Sequence, residues 1–237
     1  MVDGWSKGMA IVAHPDDLEY GAVAAIARWT AAGKEIVYVL ATSGEAGIDG
    51  MDPEQARVVR EKEQRAAAAV VGVRTVEFLG YPDGTLEYGL PLRRDLARAI
   101  RRHRPEVLVT INCRPTFENG MVNQADHIAV GQAMIDAARD AGNRWVFREL
   151  LEEGLEPWPG AKRAAIVASP SARHGVDVSG FVDAGLASLA EHSAYLAGLG
   201  DDAVPWDDLS RFLRNRLQAV GARMNCAAAV PFEVLDL

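Results

Sequence analysis

Cysteine is scarce: Cys113 and Cys226 are the only two in 237 residues, too few and too far apart for a thiolate zinc cluster. They read as reduced, structural thiols. Long apolar runs are missing too. None approaches the ~20 residues a membrane span needs, so no membrane partner is expected. The first eight residues, Met1 to Gly8, lack the basic and apolar regions of a secretory signal, which points to the cytoplasm. Basic charge is also short: a formal net charge of −8 argues against a nucleic-acid partner, whose phosphates demand a basic surface. The one basic cluster, Arg98, Arg101, Arg102 and Arg104 around His103, lies beside Leu96 and Ile100 on a predicted helix and reads as a solvated face. There is no internal repeat, low-complexity tract or clear linker.

What remains is an ordinary globular composition, 49% hydrophobic and 24% charged, with a strong alternation of elements. Met9 to Ala13 is a short apolar run. Leu18, Ala22, Ile26 and Trp29 recur at helical spacing until Gly33. Ile36 to Ala41 reads as a buried parallel strand. Asp52-Pro53, with Gln55 completing a capping-box pattern, opens a helix running to about Val71. Thr75 to Leu79 is a strand, Leu92 to Arg104 a helix ended by Pro105, Glu106 to Ile111 a strand, and Asp126 to Ala141 a helix. This βα rhythm predicts a Rossmann-like three-layer αβα sandwich with a mostly parallel sheet. Beyond Gly142 the pattern loosens: Ala164 to Ala168 reads as a strand, Phe181 to Ala197 and Trp206 to Val220 as helices, Phe232 to Leu235 as a last strand. One domain over 1–237 is the simplest account, with a core over about 8–142 and a C-terminal elaboration over about 143–237.

Ala13-His14-Pro15-Asp16-Asp17 stands where the first strand ends and the first helix begins, the position that faces the ligand crevice of such a sheet. An imidazole and two carboxylates there are costly unless a cation compensates them, and imidazole plus carboxylate suits zinc or a similar first-row metal. Helix-start carboxylates complementing the macrodipole would explain one aspartate, not the group. A catalytic zinc usually takes three protein ligands. His14 and Asp17 supply two; His103, His127, His174, His192 and many carboxylates are candidates for the third. His127 is favoured by location, beside Asp126 at a predicted helix start, where protonation of an imidazole is disfavoured. His192 reads as structural, while His174 precedes a strand and could reach the site.

Ala-His-Pro-Asp-Asp after a first strand resembles the PIG-L (LmbE-like) family of zinc-dependent N-deacetylases. Thr42-Ser-Gly-Glu-Ala-Gly47, Arg60-x-x-Glu63 followed by alanines, Leu79-Gly-Tyr-Pro-Asp-Gly84 and Arg104-Pro105 match further family segments in the right order. The resemblance implies Zn2+ held by His14, Asp17 and His127, with Asp16 as general base. It implies substrate contacts for Arg60 and Asp83, with Glu45 a weaker candidate. Each also has a bland reading: Arg60 sits among helical charges, and Pro-Asp-Gly turns need no function.

Gln124-Ala-Asp-His127 replaces the family's His-Pro-Asp-His. The lost histidine is implied to assist the tetrahedral intermediate or the leaving amine. Gln124 can donate a hydrogen bond to an oxyanion but carries no proton to give; losing such a contact costs ~10²–10³ in rate. Asp126 keeps its place and could orient a neighbour. The expected chemistry is removal of an N-acyl, chiefly N-acetyl, group from an amino sugar or related small molecule. Metal-bound water, its pKa lowered from about 15.7 towards roughly 7, would be deprotonated by Asp16, which would then protonate the departing nitrogen. Amidase action on mycothiol- or bacillithiol-like conjugates and a non-catalytic metal- or sugar-binding relative stand as alternatives. A nucleotide-binding Rossmann protein is disfavoured because no glycine-rich loop follows the first strand. Substrate identity and assembly into a homo-oligomer are left open.

Overall fold

The most apolar segments become the middle of one sheet. In the computed structural model, which describes residues 4–200 and 204–237 and so leaves out the first three residues of the Met1–Gly8 segment, β1 (Lys7–Val12) lies between β2 (Glu35–Leu40) and β4 (Val107–Ile111), parallel to both. Ala10 sits opposite Tyr38 on one side and Val109 on the other. β3 (Thr75–Phe78) extends the sheet past β2, and β5 (Arg163–Val167) extends it past β4. β7 (Ala229–Asp236) pairs antiparallel with β5 and with the edge strand β6 (His174–Asp177), completing the order β3-β2-β1-β4-β5-β7-β6.

Alternate residues of the central strands feed two cores. Ala10, Val12, Tyr38 and Leu40 pack with α2 (Val23–Ala31), the end of α3 (Pro53–Val70) and α7 (Val182–Ala190). Met9, Ile11, Val37 and Val39 pack with α4 (Leu90–His103) and α5 (Ala125–Gly142). The architecture is the three-layer, mostly parallel αβα sandwich that the alternation implied. No helix among the described residues is long and apolar enough to cross a membrane.

Four sequence expectations need correction. The helix read from Leu18 to Trp29 is two: α1 (Asp17–Gly21) and α2, with a break at Ala22. Gly21 rests on Val167, where a Cβ would collide, so α1 is pressed onto the end of β5. The helix read from Phe181 to Ala197 is also broken, into α7 and α8 (Ser193–Gly198), at a buried His192. The short α6 (Glu149–Glu152) carried no legible pattern, and the strand expected after His174 begins at His174 itself, as β6. Finally, the basic cluster on α4 is not one solvated face. Arg102 and His103 pair with Glu77 and Arg98 with Glu153, but Arg101 is only 3% exposed and donates to backbone carbonyls at the end of α5. The N-cap and proline at α3 are as read, with Asp52 accepting from the Glu54 N–H at 2.9 Å and Pro53 in the first turn; the reciprocal Gln55 half of the capping box is not formed among the described residues.

Candidate active site

The chain leaves β1, builds outward to β3, then returns to lay β4 on the other side of β1. Crevices form at that reversal, outside the carboxyl ends of the strands, and His14 follows β1 directly. Its turn is held locally: the N–H groups of Ala13 and His14 donate to Asp17 Oδ2 at 3.1 and 2.9 Å. From the first turn of α5, His127 brings Nε2 to 3.0 Å from Asp17 Oδ1, while His14 Nδ1 lies 3.7 Å from Asp17 Oδ2. All three residues are buried, and one donor atom from each lies within 4.8 Å of the others.

The surrounding hydrogen bonds fix which nitrogens are free. Asn123 donates its amide hydrogens to the carbonyls of Asn112 (2.6 Å) and Arg114 (3.0 Å), so its Oδ1 must be the atom facing His127 Nδ1 at 2.9 Å. His127 Nδ1 therefore carries the ring hydrogen, and Nε2 turns a lone pair towards the Asp17 carboxylate. His14 Nε2 lies 3.0 Å from Asp83 and 3.2 Å from Asp126, so the hydrogen belongs there and Nδ1 is the free atom. Two lone pairs and a carboxylate converging in a buried space demand a proton or a cation between them. Two imidazoles and a carboxylate, each backed by an outer partner, form a donor set that fits a first-row divalent ion. A second group, His14, Asp83 and Asp126, is equally close. There, however, both Asp126 oxygens accept backbone N–H groups, from Gly84 at 2.8 Å and Leu86 at 3.1 Å, and Asp83 accepts from Ala46 at 2.8 Å. Those carboxylates are already committed to orienting His14.

The electrostatics carry the same message. Burial alone would depress His14, but Asp126, Asp17 and Asp83 outweigh it and push its pKa up to about 12. Burial would raise Asp17, yet His127 and His14 hold it well below the usual carboxylate range. Asp16 differs: burial pushes its carboxyl up to about 7 against the pull of Arg60. Its backbone is left-handed (φ 80°), and Arg60 pairs with its Oδ2 at 2.9 Å.

Arg60 is 3% exposed, and its guanidinium also binds the carbonyls of Gly44 and Pro15, both at 2.8 Å, beneath the ring of Tyr195 at 4.3 Å. This gives a physical reason for the glycines of the 42–47 loop. A Cβ on Gly44 or Gly47 would collide with Arg60 Nη1, and Gly44 also has a positive φ. Gly47→Ala is expected to displace the tip of a flexible side chain. It should therefore leave the melting temperature within a few degrees while lowering catalytic turnover about tenfold or more, the order seen when reacting groups are misplaced by an ångström. Thermal melts and turnover on the same preparation check this; unchanged turnover would show that Arg60 need not stay put.

Glu45 accepts from the N–H groups of Ser43 and Asp83 and pairs with Arg57. Arg60, Asp83 and Glu45 thus surround Asp16 and His14, the two acids and both Arg60 terminal nitrogens engaged and the buried Arg60 Nε without a partner. Gln124 caps the N-terminus of α5, exposed, and its side-chain amide makes no hydrogen bond among the described residues. The other histidines stand apart. His174 is on β6, four strands from β1 or roughly 19 Å at ordinary strand spacing, so it does not reach the site. His192 faces Glu19 at 3.7 Å, and His103 is bound to Glu77. Sequence reasoning missed Asn123, Gln64 and Tyr195. Asn123 stands four residues before His127 and was findable by that spacing; Tyr195 carried no signal.

A family model described as GlcNAc-PI de-N-acetylase (PIG-L) matches residues 9–138, more than half of the chain. Among curated relatives, a probable N-acetyl-alpha-D-glucosaminyl L-malate deacetylase 2 of Bacillus anthracis is 29% identical over 136 residues, 54% of this chain and 58% of the relative. A mycothiol S-conjugate amidase of Streptomyces coelicolor is 32% identical over 165 residues, 60% of this chain and 54% of the relative. The aligned stretch thus spans little more than half the length of these relatives. The solved N,N'-diacetylchitobiose deacetylase of Pyrococcus horikoshii superposes with a TM-score of 0.87 at 23% identity, covering 98% of this chain and 84% of that one. With the motif turn at the end of β1, the sheet order and the matched core all in agreement, the chain belongs to the PIG-L family.

Proposed function

We propose that this protein is a metal-dependent N-deacetylase, removing an N-acetyl group from an amino sugar or related small molecule. The observation that carries this is the convergence of His14, Asp17 and His127 with their free donor atoms together, and Asp16 beside them. His14, Asp17 and His127 would hold the ion, zinc or another first-row divalent metal. When bound, such an ion supplies a Lewis acid and lowers the pKa of water. Asp16, whose oxygen is not committed to the trio, takes the proton from the attacking water and returns it to the departing nitrogen. Gln124 at the rim donates an N–H to the developing oxyanion. Asp126 and Asp83 keep His14 in one tautomer; Arg60, Asp83 and Glu45, beside Asp16 and His14, are the candidate substrate contacts in this reading. The strands β5 and β7 complete the same sheet as the motif-bearing part, which supports treating the whole chain as one catalytic domain.

The likeness to a mycothiol S-conjugate amidase favours one alternative substrate class, amides of thiol conjugates, cleaved by the same residues. Metal content and hydrolysis of a panel decide between them. The panel holds N-acetylglucosamine, its L-malate glycoside, N,N'-diacetylchitobiose and a mycothiol-type conjugate. One ion per chain, lost in His127→Ala together with turnover, is the expected result. A chain that binds no ion sinks the reading; turnover confined to the thiol conjugate shifts it to the alternative.

A further inference from the structure

Asp16 holds a backbone conformation (φ 80°, ψ −20°) that residues with a side chain rarely adopt. Something must hold it there, and the partner of its buried N–H is a side chain: Gln64 Oε1, at 2.9 Å. Gln64 is 1% exposed, on the buried face of α3. Its Nε2 donates to Glu19 Oε1 at 3.1 Å, and Ser188 Oγ approaches the same Glu19 oxygen at 3.3 Å. The amide cannot turn over. A flip would face its N–H groups to the Asp16 N–H and its oxygen to the Glu19 carboxylate, losing two hydrogen bonds at once. Four residues earlier on the same helix face, Arg60 binds Pro15 O and Asp16 Oδ2.

We propose that Gln64 is a positioning residue for Asp16. Its amide, anchored on Glu19, fixes the left-handed turn from which the Asp16 carboxylate reaches the site, while Arg60 one helical turn away fixes the carboxylate itself. This rests on the reading of Asp16 as the base. The pairing is specific to an acceptor at this reach: an apolar side chain of equal length fills the same space but leaves the Asp16 N–H without its partner and Glu19 Oε1 with Ser188 Oγ alone.

The test uses the full chain and begins with a readout that needs no substrate. Amide hydrogen exchange and backbone carbon shifts of residue 16 are measured by NMR in wild type, Gln64→Met and Gln64→Glu. Gln64→Asn, polar but too short to span from Asp16 to Glu19, replaces the Met variant should that not fold. Gln64→Met is expected to speed exchange at residue 16 at least tenfold and to move its shifts out of the left-handed range, with α4 and α5 unchanged. Gln64→Glu keeps an oxygen at the same reach and, with one proton shared between its second oxygen and Glu19, should keep that amide slow. On whichever panel amide wild type turns over, Gln64→Met should lower kcat ten- to hundredfold while KM stays within threefold and metal content is unchanged. Residue 16 signals that ignore the Met and Asn variants overturn the proposal, as does a kcat within twofold of wild type once they have moved. A wild type that hydrolyses nothing fails the reading of Asp16 as base, and the NMR result still decides whether Gln64 sets the turn.

Discussion

Asp16→Asn is expected to lower kcat by ~10²–10⁴, the contribution of a positioned base, with metal content at the wild-type level. Asparagine is nearly isosteric and is among the few side chains that visit the left-handed region. Its Oδ1 can still accept from Arg60, so the turn between His14 and Asp17 should persist. What disappears is the ability to take and return a proton. Stability should hold or rise, because a carboxyl whose ionisation burial resists becomes neutral. Turnover, metal-to-protein ratio and a thermal melt together make the outcome unambiguous. Full activity would remove Asp16 from the chemistry. Loss of the ion would recast it as a ligand.

Arg101→Met should be the most destabilising of the surface-looking arginine changes. The Arg101 guanidinium donates to the carbonyls of Ala141 (3.1 Å), Asn143 (2.7 Å), Asp140 (3.3 Å), Val146 (3.2 Å) and Leu155 (3.3 Å). Asp140 and Ala141 also accept backbone N–H groups, from Asn143 and Trp158, so the carbonyls of Asn143, Val146 and Leu155 depend most on Arg101, beside the negative end of the α5 dipole. Burial pulls the Arg101 pKa down, but an arginine stays charged in any folded protein. Removing it strands a set of buried acceptors, a loss of about 3–5 kcal/mol by analogy with broken buried charge contacts, or roughly 6–20 °C in melting temperature for a chain of this size. The neighbouring Arg102→Met, which breaks a half-exposed pair with Glu77, should cost about 0–1 kcal/mol. Equal effects in calorimetry would show that the carbonyl cradle contributes little.

Much of this was legible from residue order. The strands β1, β2 and β4 are apolar over most of their length because both faces are covered, and each helix between them carried a cap, a proline or a glycine at its edge. The turn at His14–Asp17 was legible because its residue types are costly together. Where the reading failed, the deciding contact was long-range. Leu18, Ala22, Ile26 and Trp29 keep helical phase across the break, since both short helices bury the same side; only Val167, distant in sequence, shows why α1 tilts. Arg101 follows Ala97 by one helical turn and shares its buried face, yet the acceptors that satisfy it come from 140–155. The short β6, His-Gly-Val-Asp, has no apolar alternation because Val176 alone of its four residues is buried. Gln64 looked like one more polar residue on a charged helix, and its meaning appears only beside Asp16 and Glu19.

Asp17 and His127 meet across 110 residues of sequence, from opposite sides of the return to β4. An ion shared by them would act as a cross-link closing that long loop. Its affinity would then be paid out as folding free energy of the first four strands, growing with the logarithm of free metal. Chelation would loosen the β1–β4 half of the sheet before β5–β7, so the same three side chains would govern both the chemistry and the order in which the molecule comes apart.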